Sequence, residues 1–263
     1  MQQLWELAQE EKKRVVEWRR QLHQHPELSF EEFETAEFVA ERLTELGYDV
    51  RRNVGGTGVL ATMDTGRPGP VIAFRADMDA LPITERSDAP YRSRHEGNMH
   101  ACGHDGHMAM LLGLAFRLAS ADQRLPHNVL LIFQPGEENP GGARLLCEAG
   151  ILERYHVKRI YGMHLWPQLP AGVIGTRREE MMARSSEVNI DITGRSAHAA
   201  SYQEGCDALE TACRYLCDLY AMERQIDPAE YRLLRFGVLR SGSIRNVVSD
   251  HARLEGTLRA CQE

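Results

Sequence analysis

Three short apolar runs in this chain each lead into residues that can hold a cation, and this pattern constrains the fold more than any other feature. Leu130-Leu131-Ile132-Phe133 leads into Pro135-Gly136-Glu137-Glu138, and Arg159-Ile160-Tyr161 leads into Gly162-Met163-His164. Val71-Ile72-Ala73-Phe74 leads into Arg75-Ala76-Asp77-Met78-Asp79. Brief apolar runs bounded by turn residues read as buried strands. Polar groups gathered where such strands finish are what a site at the carboxyl edge of a parallel sheet requires.

The densest cluster is Met99-His100-Ala101-Cys102-Gly103-His104-Asp105-Gly106-His107, with three histidines, a cysteine and an aspartate in nine residues. Thiolate, imidazole and carboxylate are the ligands of zinc and other divalent transition metals. Gly103 allows the tight bend that lets Cys102 and His104 face one ion. Asp105 suits a helix start through the dipole, or could orient a ligand histidine. His107 lies nearly a turn beyond His104, so packing or a hydrogen bond is the stronger reading for it than ligation. The adjacent carboxylates of Glu137 and Glu138 repel unless a cation sits between them or one is tuned as a base. On that ground Glu138 is assigned to the metal and Glu137 to proton transfer. Asp77 and Asp79 either support ligands or pair with Arg75 at the strand end.

Periodicity supplies the frame. Leu4, Leu7, Ala8, Val15, Trp18 and Leu22 mark an amphipathic opening helix. Ser29 and Glu32 have capping-box spacing for a second helix that Gly47 can end. Strands are expected at 48–52, 59–63 and 71–76, then a helix at 104–118. A strand at 128–134, a short helix at 142–150 and a strand at 159–164 follow. This alternation predicts an α/β fold with a mixed, mostly parallel sheet and flanking helices. After about Gly175 the texture changes to strand (187–193), helix (207–223) and two strands (233–239 and 251–258). That order suggests a smaller, ferredoxin-like α+β lid. The expected division is a catalytic metal-binding domain at 1–180 and a lid or dimerisation domain at 181–263.

Composition removes several classes of function. Thirty-one basic against 38 acidic residues give a net charge of −7, which argues against a nucleic-acid partner. No apolar stretch approaches a membrane span, and the polar N-terminus lacks a signal-peptide core, so the expected location is cytoplasmic. The six cysteines show no Cys-x-x-Cys pair and fit a reducing compartment. Cys213 and Cys217, four apart on a predicted helix, read as small core residues. Glycine-rich phosphate loops and Gly-x-Ser-x-Gly elbows are absent, which removes nucleotide-dependent and serine-hydrolase readings. The histidines of His95-Glu96-Gly97-Asn98-Met99-His100 are five apart, one too many for a zincin helix.

Seven segments carry a resemblance: His25-Pro26-Glu27, Arg75 to Pro82, His100 to Asp105, Gln134 to Glu138, Met163 to Pro167, Gly194 to Ala199 and Asn246-Val247-Val248. In this order and over nearly the whole chain, they resemble the metal-dependent amidohydrolases of the aminoacylase/carboxypeptidase family. The branch most similar holds N-acyl-amino-acid deacylases, hippurate hydrolases and auxin-conjugate hydrolases.

The resemblance implies a zinc-peptidase-like catalytic domain with two divalent metal ions, manganese or zinc, with cobalt and nickel as alternatives. Cys102, His104, Glu138 and His164 would be their ligands. Glu137 would be the general base that takes a proton from a metal-bound water, so that the amide bond of an N-acyl amino acid is hydrolysed. His198 would stabilise the oxyanion in a neighbouring subunit of a homodimer formed through the lid, and Asn246 and Arg259 would contact the substrate. Relatives usually carry a proline soon after the lid histidine, where this chain reads Ala199-Ala200-Ser201-Tyr202. The family's chain also continues past the lid and adds a last histidine ligand, so the resemblance implies that both domains are truncated at Glu263. Two alternatives follow: a dipeptidase or aminopeptidase of the same fold, and a catalytically inactive homologue.

Overall fold

The computed structural model of the chain describes residues 2–120, 125–138, 141–178, 181–227 and 230–261. It divides into two compact units, Met1–Gln168 and Leu169–Glu263. No helix among the described residues is long and apolar enough to cross a membrane.

The first unit is built on a five-stranded sheet. Helices α1 (Gln2–Gln24) and α2 (Phe33–Glu45) precede strands β1 (Asp49–Val54), β2 (Gly58–Met63) and β3 (Val71–Asp77). Helix α3 (His104–Ala119), β4 (Asn128–Gln134), the short helices α4 (Ala143–Glu148) and α5 (Ile151–Arg154), and β5 (Val157–Gly162) complete it. The strand order is β1-β2-β4-β3-β5. Strands β4, β3 and β5 run parallel, whereas β1 and β2 are antiparallel to each other and β2 to β4. The sheet is therefore mixed, with its pairings evenly divided rather than mostly parallel. For β1 and β2 the cause is local: the turn at Gly55-Gly56-Thr57 is too short for a crossover and can only reverse the chain.

Strand β4 shows why the core needs helices on both sides. Val129, Leu131 and Phe133 point into one cluster, with Val39, Leu43, Met108 and Leu112 from α2 and α3. Leu130 and Ile132 point the other way, toward Leu146 and Ile151. Alternate residues face opposite sides of a strand, so an unbroken apolar run demands cover on both. Helix α1 packs on α3, with Val15 seated against Gly113; of its apolar stripe, the side chains of Leu4, Leu7 and Ala8 lie outside the described ones.

Two local expectations fail for instructive reasons. Helix α2 starts at Phe33, and Ser29 and Glu32 form no capping box. Glu27 caps instead, accepting from the backbone N–H groups of Glu34 (3.1 Å) and Thr35 (2.7 Å). Ser29 and Glu32 are drawn inward to buried partners described below. The helix expected at 142–150 is present as α4, and Gly150, with a φ of +66°, separates it from the further helix α5. Strand β5 also finishes at Gly162, so His164 stands on the loop beyond it.

The second unit is a three-stranded antiparallel sheet with one helix. Strand β6 (Arg184–Thr193) is followed by α6 (Ala208–Glu223), β7 (Arg232–Ser241) and β8 (His251–Ala260), in the sheet order β6-β8-β7. Ala208 and Ala212 of α6 bury against Ala252 and Leu254 of β8. Cys213 and Cys217 are exposed, which corrects their reading as core residues. They sit one position past Ala212 and Leu216, about 100° around the helix from the buried stripe.

Phe133 is fully buried on β4 at the centre of the larger cluster. Phe133→Ala is expected to lower unfolding stability by about 3–5 kcal/mol in urea titrations. A loss below about 1 kcal/mol would show that the sheet is not packed as described.

Candidate metal centre

The carboxyl ends of β3 and β4, the start of α3 and the loop after β5 converge. Gly103, at the N-cap of α3, has a φ of +96°, a left-handed conformation that glycine adopts without strain. It turns the chain so that Cys102 and His104 face the same region. The His104 ring is fully buried, and its Nδ1–H donates to the Asp79 backbone carbonyl at 2.8 Å. That bond directs Nε2 inward, without a hydrogen-bond partner among the described residues. Around Nε2 stand Asp77 Oδ2 at 3.7 Å and Glu137 Oε2 and Glu138 Oε1, each at 3.9 Å. These separations are too long for hydrogen bonds and suit atoms arranged around a cation.

His164 repeats the device. Its Nδ1–H donates to the Leu165 carbonyl at 2.7 Å, and its Nε2 faces Cys102 Sγ at 3.5 Å. Two groupings of ligand atoms result, Cys102–His104–His164 and His104–Glu137–Glu138, with His104 common to both. Two imidazole nitrogens of fixed tautomer, a thiol and a carboxylate are a fitting donor set for divalent transition metals.

Asp79 organises the carboxylate side. Its Oδ1 accepts the Glu137 N–H at 2.9 Å, and its Oδ2 accepts the Glu138 N–H at 3.0 Å and the Ser29 hydroxyl at 2.8 Å. Burial opposes its charge, but these donors and His104 outweigh it and hold Asp79 far below the usual carboxylate range. Glu32, with no exposed surface, accepts from Gly136 N–H at 2.8 Å and from the Thr57 hydroxyl. Gly136 itself has a φ of +55°, with the Phe30 ring where a Cβ would lie. Burial raises the Glu137 carboxyl, and the negative charges of Glu138 and Asp77 raise it further. His104 responds in the opposite sense. Burial works against its charged form, yet Asp79, Cys102 and Asp77 prevail and push it up to about 11.

Asp77, rather than Asp79, pairs with Arg75, at 2.8 Å. His107 donates from Nδ1 to Asp77 at 2.6 Å and accepts the Leu165 N–H on Nε2 at 2.9 Å, so neither ring nitrogen is open to a metal.

Behind the site lies a network that the sequence reading did not find. Asp105 accepts from His23 Nδ1 at 2.7 Å and from Arg19 at 2.8 Å, and His23 Nε2 reaches Glu85 at 3.3 Å. His100, 4% exposed, has neither ring nitrogen bonded among the described residues, and burial depresses it to about 4. The available signal was the histidine of Leu22-His23-Gln24 at the inner end of an amphipathic helix, which periodicity alone treats as a helix terminus.

In the second unit His198 and Asn246 are neighbours. Asn246 O accepts the Ala199 N–H at 2.9 Å, and Val247 bridges to His198. His198 Nδ1 accepts the Ala200 N–H at 3.2 Å, so Nε2 carries the proton and faces outward as a donor. Arg259 is not part of this corner. It pairs with Ser185 at the opposite end of β8, eight residues or roughly 27 Å along the strand from His251.

The model of peptidase family M20/M25/M40 matches residues 73–232. An N-acetyldiaminopimelate deacetylase of Streptococcus uberis is 38% identical over 249 residues, covering 93% of this chain and 66% of its own length. An N-acetyl-L-cysteine deacetylase of Bacillus subtilis is 40% identical over 248 residues, covering 94% of this chain and 59% of its own. The chain thus spans about two thirds or less of these relatives. A dinuclear metal binding peptidase of Bacillus subtilis superposes with a TM-score of 0.81 at 36% identity, over 97% of this chain and 66% of that one.

The His23 network carries a pH signature. The Asp105 hydrogen bond, assisted by the Asp105 charge and the Glu85 hydrogen bond, raises His23 above its ordinary 6.5 despite burial. A raised histidine stabilises the fold fully below the unfolded value, and that stabilisation is lost as pH rises through the folded value. His23→Gln is therefore expected to cost about 2 kcal/mol at pH 6 and clearly less at pH 9, read from urea midpoints at both. An equal cost at both pH values would contradict a charged His23.

Proposed function

The chain belongs to peptidase family M20/M25/M40, and from that premise we propose that it hydrolyses the amide bond of N-acyl amino acids. In this reading Cys102, His104, Glu138 and His164 hold two divalent cations, manganese or zinc, and Glu137 is the general base. One observation carries it: the unpartnered, fully buried His104 Nε2 ringed by carboxylate oxygens at 3.7–3.9 Å, in a chain 38–40% identical to deacetylases. When bound there, divalent cations supply Lewis-acid polarisation and a more acidic water.

The chain's own residues supply the rest. Glu137 stands beside the ligand atoms with its side chain 42% exposed, within reach of both solvent and substrate. Glu137 takes a proton from the attacking water and delivers it to the departing amine nitrogen. Asp79 and Glu32 fix the backbone on which it rides, so its carboxylate needs little rearrangement. His198 offers its Nε2–H to the developing oxyanion, and Asn246 beside it offers an amide to the substrate. These two groups act across a homodimer formed through residues 181–263, which serve as the lid of a catalytic domain at 1–180. Arg259, at the other end of β8, is a separate substrate contact in this reading.

Elemental analysis on the batch assayed against N-acetyl and N-benzoyl amino acids tests this directly. Two ions per chain and measurable turnover are expected. Glu137→Gln is expected to lower kcat by about 10²–10⁴ with metal content unchanged. A metal-free protein without turnover, after supplementation with manganese or zinc, would contradict the reading for this 263-residue chain.

A further inference from the structure

A belt of side chains crosses the carboxyl ends of the three parallel strands and finishes on a backbone amide. Gln134 Oε1 on β4 accepts from Arg75 Nε on β3 at 2.9 Å, and Arg75 Nη1 donates to Asp77 at 2.8 Å. Asp77 Oδ1 accepts from His107 Nδ1 at 2.6 Å, and His107 Nε2 accepts the Leu165 N–H at 2.9 Å. An amide N–H can only donate, so Nε2 must carry the lone pair and Nδ1 the proton. His107 is 2% exposed, so both bonds are shielded from water.

Leu165 follows His164, and its peptide groups are gripped from both sides. Its N–H goes to His107, while its carbonyl takes the His164 Nδ1–H at 2.7 Å. The His107 and His164 rings touch, with centroids 4.4 Å apart. The Leu165 side chain lies where a Cβ on Gly106 would be, 2.6 Å from its Cδ1. Strand β5 has ended two residues earlier and is an edge strand, so ladder bonds do not fix His164.

We infer that His107 is a positioning residue: its Nε2, in the tautomer that Asp77 selects, holds the Leu165 amide and thereby sets His164 Nε2 against Cys102. Asp77, His104 and His107 atoms lie close enough together to suggest a third cation grouping. The grouping fails as a site because both His107 nitrogens are committed. The inference deepens the ligand role given to His164 above and rests on it for its metal-binding consequence alone.

Two substitutions in the full 263-residue chain separate the two bonds. In His107→Gln the side-chain carbonyl reaches the Nε2 position and still accepts the Leu165 N–H. In His107→Asn the amide reaches Asp77 but falls short of Leu165. Leu165 amide hydrogen exchange and zinc affinity are then measured for both. His107→Asn is expected to speed Leu165 exchange at least about tenfold and weaken zinc binding about 10–100-fold, while His107→Gln stays within about threefold of the parent. Equal exchange in the two variants, or equal loss of zinc with Leu165 still protected, would overturn the inference.

A parent protein that binds no zinc contradicts the ligand role of His164, while Leu165 exchange still decides the brace. Nitrogen-15 NMR of the unsubstituted protein covers the case in which a variant misfolds. The His107 ring is expected as the Nδ1–H tautomer with or without zinc, and a zinc-shifted Nε2 resonance would make it a ligand instead.

Discussion

The buried Asp79 carboxylate is the contact on which the rest of the site depends. Its two oxygens accept the amides of Glu137 and Glu138 and the hydroxyl of Ser29, and its own carbonyl fixes the His104 ring. One residue thus sets the inward direction of an imidazole lone pair and the approach of two carboxylates 58 and 59 positions away in the chain. An ionised carboxylate taken out of water costs several kcal/mol unless its lone pairs are filled. Here they are filled by groups whose positions matter to the chemistry, so the same bonds serve stability and alignment.

The same economy recurs at each segment that reaches the candidate site. Glu32 holds Gly136, Asp77 holds His107, and His107 holds Leu165. Asp77 also turns Oδ2 toward His104 Nε2, to which Glu137 and Glu138 make no hydrogen bond, while Cys102 Sγ meets His164 Nε2 at 3.5 Å. That arrangement gathers Asp77, Glu137 and Glu138 around His104, whose proton affinity is raised by its hydrogen bonds to Asp79 and Cys102 and by the charge of Asp77. A divalent ion held by these residues would offset that crowding and compete with the proton, which would link occupancy to fold stability.

Much of this was legible in the sequence. The run from Asn128 to Gln134 could only be a strand covered on both faces, and the acids directly after it had to emerge at its carboxyl end. The Cys102-Gly103-His104 turn announced itself through residue chemistry and the need for glycine between two groups able to hold a cation. Supports were hidden because their roles depend on partners distant in the chain. Ser29 and Glu32 satisfy a local capping rule, yet tertiary bonds to Asp79 and Gly136 outcompete it. Cys213 and Cys217 have helical spacing, but spacing cannot reveal which face α6 turns toward β8. The direction of β2 depended on a turn whose length was visible and whose consequence for the sheet was not drawn.

Calorimetric titration of the metal-free protein with zinc, in two buffers of different ionisation enthalpy at pH 7, tests the central claim most directly. His104, held protonated to about 11 by the surrounding anions, must surrender its proton for Nε2 to ligate. The account predicts saturable binding with release of about one proton or more for the ion that takes His104. Absence of binding, or binding with no proton released, would contradict a metal centre built around that lone pair.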